Sequence, residues 1–253
     1  MPTAPKIYRA VLSTDWNECL APCGPFDFIA FSYPELDAPL QAVFRQYTAN
    51  RIPLSAAARQ IAAMLPAPVT VGQMDAYLDR HFATYRGVPE LMRWCAANRV
   101  LFMINTTGAI GYFQRARAAG LLPPIPVLSA HPLVRYPQNT GDPDQILELT
   151  ETSDKAANTA QVLQAAGIPT DRLIVMGDSG GDGPHFEWGA AHRATLVGSM
   201  TKASLDAYCD AAKIPISLRF GISYGPGAAR NPRQEMQFDF MALVSVIKRV
   251  AAG

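Results

Sequence analysis

Apolar positions along the chain follow two alternating patterns. Short, β-branched or continuous apolar runs occur at Tyr8–Thr14, Val100–Ile104, "IPVLSA" (125–130), Leu173–Met176 and Thr195–Gly198, and each predicts a buried strand. Between them lie segments of helical character. These are Pro89–Asn98, a stretch near Ile110–Ala119 that stops at Gly120, and Asp154–Ala166, which follows a Ser153 cap and ends at Gly167. A short helical stretch precedes Thr195, "ISLRFGISYGPG" (216–227) reads as a late strand or strand pair, and Phe238–Val250 closes the chain as a helix. Strands alternating with helices predict an α/β fold, a Rossmann-like parallel sheet with helices on both faces and ligands at the carboxyl ends of its strands.

One region departs from this alternation. From Leu36 to Phe82 the apolar residues fall only at helical spacing: Leu40, Val43, Phe44 and Tyr47, then Leu54, Ala58, Ile61 and Leu65, then Met74, Tyr77, Leu78 and Phe82. Pro53 and the "PAP" at 66–68 divide the region into three amphipathic helices, which predicts a helical insertion in the α/β chain.

Composition narrows the partners. A chain of 253 residues suits one large domain or a domain with an insertion. With a net charge of +1 and 17% charged residues there is no basic stripe for nucleic acid or an anionic membrane, so the expected partner is a small molecule. The first residues lack the apolar core of a signal peptide, and no apolar run approaches the roughly 18 residues of a membrane span, which predicts a soluble cytoplasmic protein. The cysteines (Cys19, Cys23, Cys95, Cys209) form no CxxC pair and read as free thiols. His81, His131 and His192 are isolated and read as ordinary histidines.

The stretch "VMGDSGGDG" (175–183) carries the chemistry and has two readings. As GDSGG it imitates the serine loop of trypsin-like proteases, with Ser179 as nucleophile. That reading needs an all-β fold, a different residue at Asp182 and a triad histidine farther away than His131, and the α/β alternation excludes it. As GDxxxD it places Asp178 and Asp182 at the carboxyl end of a strand. Asp15 ends the first strand, so a parallel sheet brings all three carboxylates to one cleft. They repel one another unless a cation holds them, and hard oxygen ligands suit magnesium. "FMINTTG" (102–108) ends another strand in groups that can donate to phosphate oxygens, and Lys155 opens a helix from which its charge can neutralise a transferring phosphoryl group.

These four pieces, "DWNECL", "NTTG", "SDKAANTAQVL" and "GDSGGD", resemble in order and spacing the haloacid dehalogenase superfamily, chiefly its phosphatases. The resemblance implies a Rossmann-like core over 1–21 and 85–253 with a small all-helical cap over 22–84. It implies a magnesium-dependent phosphatase acting on a small phosphorylated metabolite. The alanines of the inserted helices allow close packing within the chain or against a second copy, so a monomer or homodimer is expected. Asp15 would be the nucleophile that forms an aspartyl-phosphate. Thr106, or its neighbour Asn105 or Thr107, would bind the phosphoryl oxygens together with Gly108, and Lys155 would bridge nucleophile and phosphate. Asp15, Asp178, Asp182 and the backbone carbonyl of Asn17 would hold Mg2+. Trp16 lines the substrate opening or packs inward, while His185 and Glu187, which follow the metal loop, read as packing and surface residues.

One position breaks the family pattern. Where those phosphatases read Asp-x-Asp-Gly-Thr, this chain reads Asp15-Trp16-Asn17-Glu18-Cys19. The second Asp protonates the leaving oxygen and later deprotonates water, and an amide does neither. General acid–base help is worth about 10²–10⁴ in rate, so hydrolysis of an ordinary alkyl phosphate should slow. Three outcomes remain open. The substrate has a good leaving group; Glu18 or a residue of the cap replaces the acid; or the protein binds a phosphorylated ligand with little turnover. A phosphotransferase is a further alternative.

Overall fold

The computed structural model describes residues 7–48 and 51–252. The first six positions of the expected core segment 1–21, where no signal sequence is expected, and the last residue of 85–253 lie outside the described residues. The chain runs β1 (Ala10–Thr14), α1 (Asp27–Ser32), α2 (Asp37–Thr48), α3 (Leu54–Met64), α4 (Val71–His81), α5 (Val88–Ala97), β2 (Val100–Ala109), α6 (Ile110–Ala118), β3 (Val127–His131) and β4 (Gln145–Glu148). It continues as α7 (Asp154–Ala166), β5 (Leu173–Gly177), α8 (Gly183–Ala191), β6 (Thr195–Ser199), α9 (Ala203–Ala211), β7 (Leu218–Phe220), α10 (Pro232–Glu235) and α11 (Val244–Ala252).

The strands form one parallel sheet in the order β4-β3-β2-β1-β5-β6-β7. Alternate residues of each strand face opposite sides, and the core divides accordingly. Leu12, Phe102, Ile104, Ile174 and Met176 pack on one face with residues of α5, α6 and α11, whereas Val11, Leu101, Met103, Leu173 and Val175 pack on the other with residues of α7, α8 and α9. The predicted α/β class, with helices on both faces, is the observed one.

The helical segment between β1 and β2 joins the first of these cores through Leu40, Leu54, Ile61, Met74 and Leu78. Its attachment is also polar. Arg115 of α6 makes a bidentate pair with Asp75 of α4 at 2.7 and 2.9 Å, and Glu151 accepts from the backbone of Leu54 and Ser55 at the start of α3. Pro53 has no side-chain acceptor to offer there, so the carboxylate of a distant loop caps the helix instead.

The structure corrects several local expectations. Ser153 makes no capping bond; the Asp154 carboxylate accepts instead from the backbone of Thr150 at 2.8 Å and of Glu151 at 2.9 Å. The insertion has a fourth helix, α1, only two turns long and too short to show a period. β4 and α9 were not predicted: "QILE" is a half-exposed edge strand with no apolar run, and α9 buries only Leu205 and Cys209. The 216–227 segment gives one strand, β7, and a lone bridge from Lys202 to Tyr224. The closing helix begins later than Phe238, at Val244, because Asp239 caps a separate turn at Phe240–Leu243.

Candidate active site

The strand order reverses at β1, whose neighbours are β2 on one side and β5 on the other. The residues leaving β1 and β5 therefore meet at the topological switch point, where α/β sheets hold ligands. Asp15 follows β1 and its amide donates to the Met176 carbonyl at 2.9 Å, which fixes the Asp15 loop against the start of the 178–182 loop. That loop closes on itself: Asp182 Oδ2 accepts from the backbone N–H of Asp178 at 3.0 Å and of Ser179 at 3.2 Å. The closure needs a glycine at 177, since a Cβ there would lie 2.4 Å from Asp182 Cγ. Ser179 is thus part of a carboxylate-anchored turn, and His131 accepts a bond from Leu133 in its own loop.

Asp15, Asp178 and Asp182 offer oxygens that all lie within 4.8 Å of one another, and all three residues are buried. Burial raises the Asp15 carboxyl above its usual range against the pull of Lys155 and a hydrogen bond from Thr106. Burial likewise pushes Asp178 up to about 8, against the pull of Lys202. Carboxylates crowded this closely out of water hold their charge poorly without cations. A compact set of hard oxygens is a donor set that a magnesium-sized cation fits.

Lys155, 1% exposed, reaches this cluster from the first turn of α7. Its ammonium donates to Asp182 Oδ1 at 2.6 Å and lies 3.4 Å from Asp15 Oδ1. Burial works against its charge, but Asp15 and Asp182 prevail and hold the lysine above its ordinary range. Asp15, Asp178, Asp182 and Lys155, the four charged residues expected together, thus lie in one cluster.

The 105–108 segment divides its tasks. Asn105 is turned into the core, donating to Lys155 O at 2.9 Å, Thr159 Oγ1 at 3.0 Å and Ser13 Oγ at 3.1 Å. The Thr106 hydroxyl lies between the Asp15 carboxylate and Asn17, donating to Asn17 Oδ1 at 3.2 Å. Thr107 lines a cavity of about 30 Å³ together with Asp15, Asn17, Lys155 and Asp178. Gly108 admits the Asn17 amide, because a Cβ there would lie 2.7 Å from Asn17 Oδ1. That amide also donates to Cys23 O at 3.3 Å, so both of its ends are engaged. Trp16 packs inward, fully buried, with its ring 5.4 Å from that of Phe113 in an edge-on contact.

Several neighbours of the cluster escaped the sequence reading. Lys202 lies 2.9 Å from Asp178 Oδ2 and pairs with Glu18 as well. Arg230 sits 3.3 Å from Glu18 and 2.8 Å from Glu235, a fully buried carboxylate that also accepts from Tyr85 and Tyr224. Glu18 itself has a left-handed backbone, φ 59°, a conformation that costs a non-glycine residue about a kilocalorie or more and is kept where its surroundings over-determine it. Tyr47 of α2 reaches the cavity beside Thr107. His185, read as packing, is buried and hydrogen-bonded at 3.0 Å to Thr159 below Lys155. Lys202 had a usable signal, since it follows β6 at the same sheet edge as Asp15; Arg230 and Tyr47 arrive from elements whose direction no spacing rule gives.

The sequence matches no family model and no curated protein. The fold, however, is similar to solved structures over nearly the whole chain. A phospho-aspartyl intermediate analogue of phosphoserine phosphatase aligns with a TM-score of 0.63 at 10% identity, covering 95% of this chain and 99% of that one. A substrate-bound phosphoserine phosphatase complex gives 0.63 at 11% identity over 94% and 98%. A HAD family hydrolase from Salmonella enterica serovar Typhi gives 0.61 at 16% identity over 84% and 67%. At these identities the likeness establishes the fold alone, the one these solved structures share. Among the described residues no helix is long and apolar enough to cross a membrane.

Proposed function

We propose, from a haloacid dehalogenase fold as premise, that the chain is a magnesium-dependent phosphatase of small phosphorylated metabolites that works through an aspartyl-phosphate at Asp15. The observation that carries this reading is the buried cluster of Asp15, Asp178 and Asp182 with Lys155 between two of them. In it, α1–α4 form the cap, and Asp15, Asp178, Asp182 and the carbonyl of Asn17 are the residues that would hold Mg2+. When bound, the ion supplies positive charge that offsets the phosphoryl oxygens and keeps Asp15 ionised.

The chain's own residues account for the rest. Asp15 attacks phosphorus as the leaving oxygen departs on the opposite side. Lys155, already beside Asp15, neutralises charge on the phosphoryl group. Thr107 and the backbone beside it receive phosphoryl oxygens, while Thr106 orients Asp15 and Asn17. Water then attacks the aspartyl-phosphate and phosphate leaves.

A second reading, a phosphate-ligand binding protein with little turnover, draws support from the locked Asn17 amide, which cannot serve as acid or base. Magnesium-dependent phosphate release from alkyl, aryl and acyl phosphates separates the two. The phosphatase reading expects turnover and a hydroxylamine-sensitive phosphoenzyme, both abolished in Asp15→Asn. Thermal stabilisation by phosphate without any release would favour the binding protein, and turnover surviving in Asp15→Asn would exclude Asp15 as nucleophile.

A further inference from the structure

The side chains around the inner cavity leave few candidates for the acid that Asn17 cannot be. Its titratable residues are Asp15, Glu18, Tyr47, Lys155, Asp178 and Lys202. Glu18, the neighbour in sequence, is held by Lys202 and Arg230 in an ion-pair network, so its carboxylate oxygens are already engaged. Lys155 is shared by Asp15 and Asp182, and Lys202 by Asp178 and Glu18, so neither ammonium has a proton to give readily. Asp15 and Asp178 are assigned to the nucleophile and the ion.

Tyr47 remains. It comes from α2 of the inserted helices, is 7% exposed, and lines the same cavity as Asp15, Thr107 and Lys155. It shares this cavity with Thr107, and a Cβ on Gly181 would lie 3.3 Å from its hydroxyl, so the phenol oxygen sits against the 178–182 loop. A second cavity of about 190 Å³ shares Glu18, Pro25 and Phe44 with the first and gives a leaving group room between the Asp15 loop and α1–α2.

We infer that Tyr47 is the catalytic proton donor supplied by the helical insertion in place of the missing acid at position 17. The inference rests on the phosphatase reading. As the Asp15–phosphorus bond forms and the phosphorus–oxygen bond to the leaving group breaks, the Tyr47 proton passes to the leaving oxygen. The tyrosinate so formed takes a proton from water as that water attacks phosphorus and the Asp15–phosphorus bond breaks, which regenerates both residues and releases inorganic phosphate. Burial pushes the phenol up to about 12, so it is protonated in the resting site, yet it remains a stronger acid than the alcohol of an alkyl phosphate.

The test uses the full chain with Mg2+, p-nitrophenyl phosphate and simple alkyl phosphates, in wild type and Tyr47→Phe. Alkyl turnover should fall by about 10²–10⁴, with a loss on p-nitrophenyl phosphate at least about tenfold smaller, because a good leaving group needs no proton. Adding Asn17→Asp to Tyr47→Phe should restore alkyl turnover, which a merely structural role for the phenol would not permit. Equal losses on both substrates, no loss on alkyl phosphates, or a wild type that ignores alkyl phosphates would each overturn the inference. A thermal shift with orthovanadate and Mg2+ verifies that Tyr47→Phe is folded; should it not be, Tyr47→Leu removes the same proton and gives the same comparison. Asp15→Asn is run alongside, and turnover surviving there defeats the phosphatase reading itself rather than the role of Tyr47.

Discussion

On the α7 side of Asp15 a single ammonium, that of Lys155, is shared by Asp15 and Asp182, whereas on the β6 side Asp178 faces two cations, Lys202 and Arg230, which Glu18 and Glu235 also hold. The first arrangement is sealed: the Lys155 side chain is 2% exposed. In the second, Lys202 and Arg230 are 25% and 15% exposed, so water shares in their solvation. A sealed pair has no substitute when one member is lost, while a distributed network redistributes its charge. The α7 side should therefore govern stability as well as chemistry, and the β6 side should tune the affinity of Asp178 for a cation.

The largest effect expected from this contrast is that of Lys155→Met. It leaves two buried carboxylates uncompensated, and breaking a buried pair by removing one partner costs about 3–5 kcal/mol. Urea unfolding of the metal-free protein measures the loss, and a change below a kilocalorie would mean that the two flanks do not differ.

A pH effect on the same side comes next. Burial, then the nearby Lys155 charge, lowers His185 from 6.5 to about 3. The unfolded chain takes up this proton as pH falls below 6.5 and the native one does not, so stability is fully present above that pH and drains away below it. Each unit of pH over this window is worth about 1.4 kcal/mol at most. Between pH 7 and pH 5 wild type should therefore lose about 2 kcal/mol more than His185→Gln, in which an amide replaces the ring facing Thr159. Parallel urea curves for the two proteins would show that the His185 site is open to protons.

The smallest stability change belongs to Lys202→Gln. A partly exposed ion pair contributes only about 0.2–1 kcal/mol, and Arg230 stays near Asp178. The same substitution removes a positive charge beside a proposed metal ligand, so Mg2+ binding followed by calorimetry should tighten about tenfold, or about 1.4 kcal/mol. Unchanged or weaker Mg2+ binding would mean that Lys202 does not compete for Asp178.

The elements that could be read in the sequence are those with a long enough period or a clear stop. Asp154–Ala166 is observed with the bounds that its spacing and Gly167 predict, while β4 and α1 are too short, or too exposed on one side, to carry a pattern. The candidate site follows the same division. Asp15, Asp178 and Lys155 stand at the ends of predictable elements, and the parallel topology alone brings them together. Choosing among Asn105, Thr106 and Thr107 needs the side-chain direction at an irregular strand end, where the β2–β3 register shifts between Asn105 and Ala109. Only in three dimensions does Asn105 turn into the core and Thr107 into the cavity.

The sequence by itself determined the α/β class, the helical insertion and the carboxylate cluster with its lysine, because periodicity and position at strand ends are local properties that one topology converts into proximity. The tertiary structure decided which counter-charges surround Asp178, how Asn17 is locked and which insertion residues line the cavity. These depend on loops and helix orientations set by packing over the whole molecule: Glu18, Arg230 and Tyr47 meet the site because the sheet, the C-terminal segment and α2 converge there, and no spacing along the chain encodes that convergence.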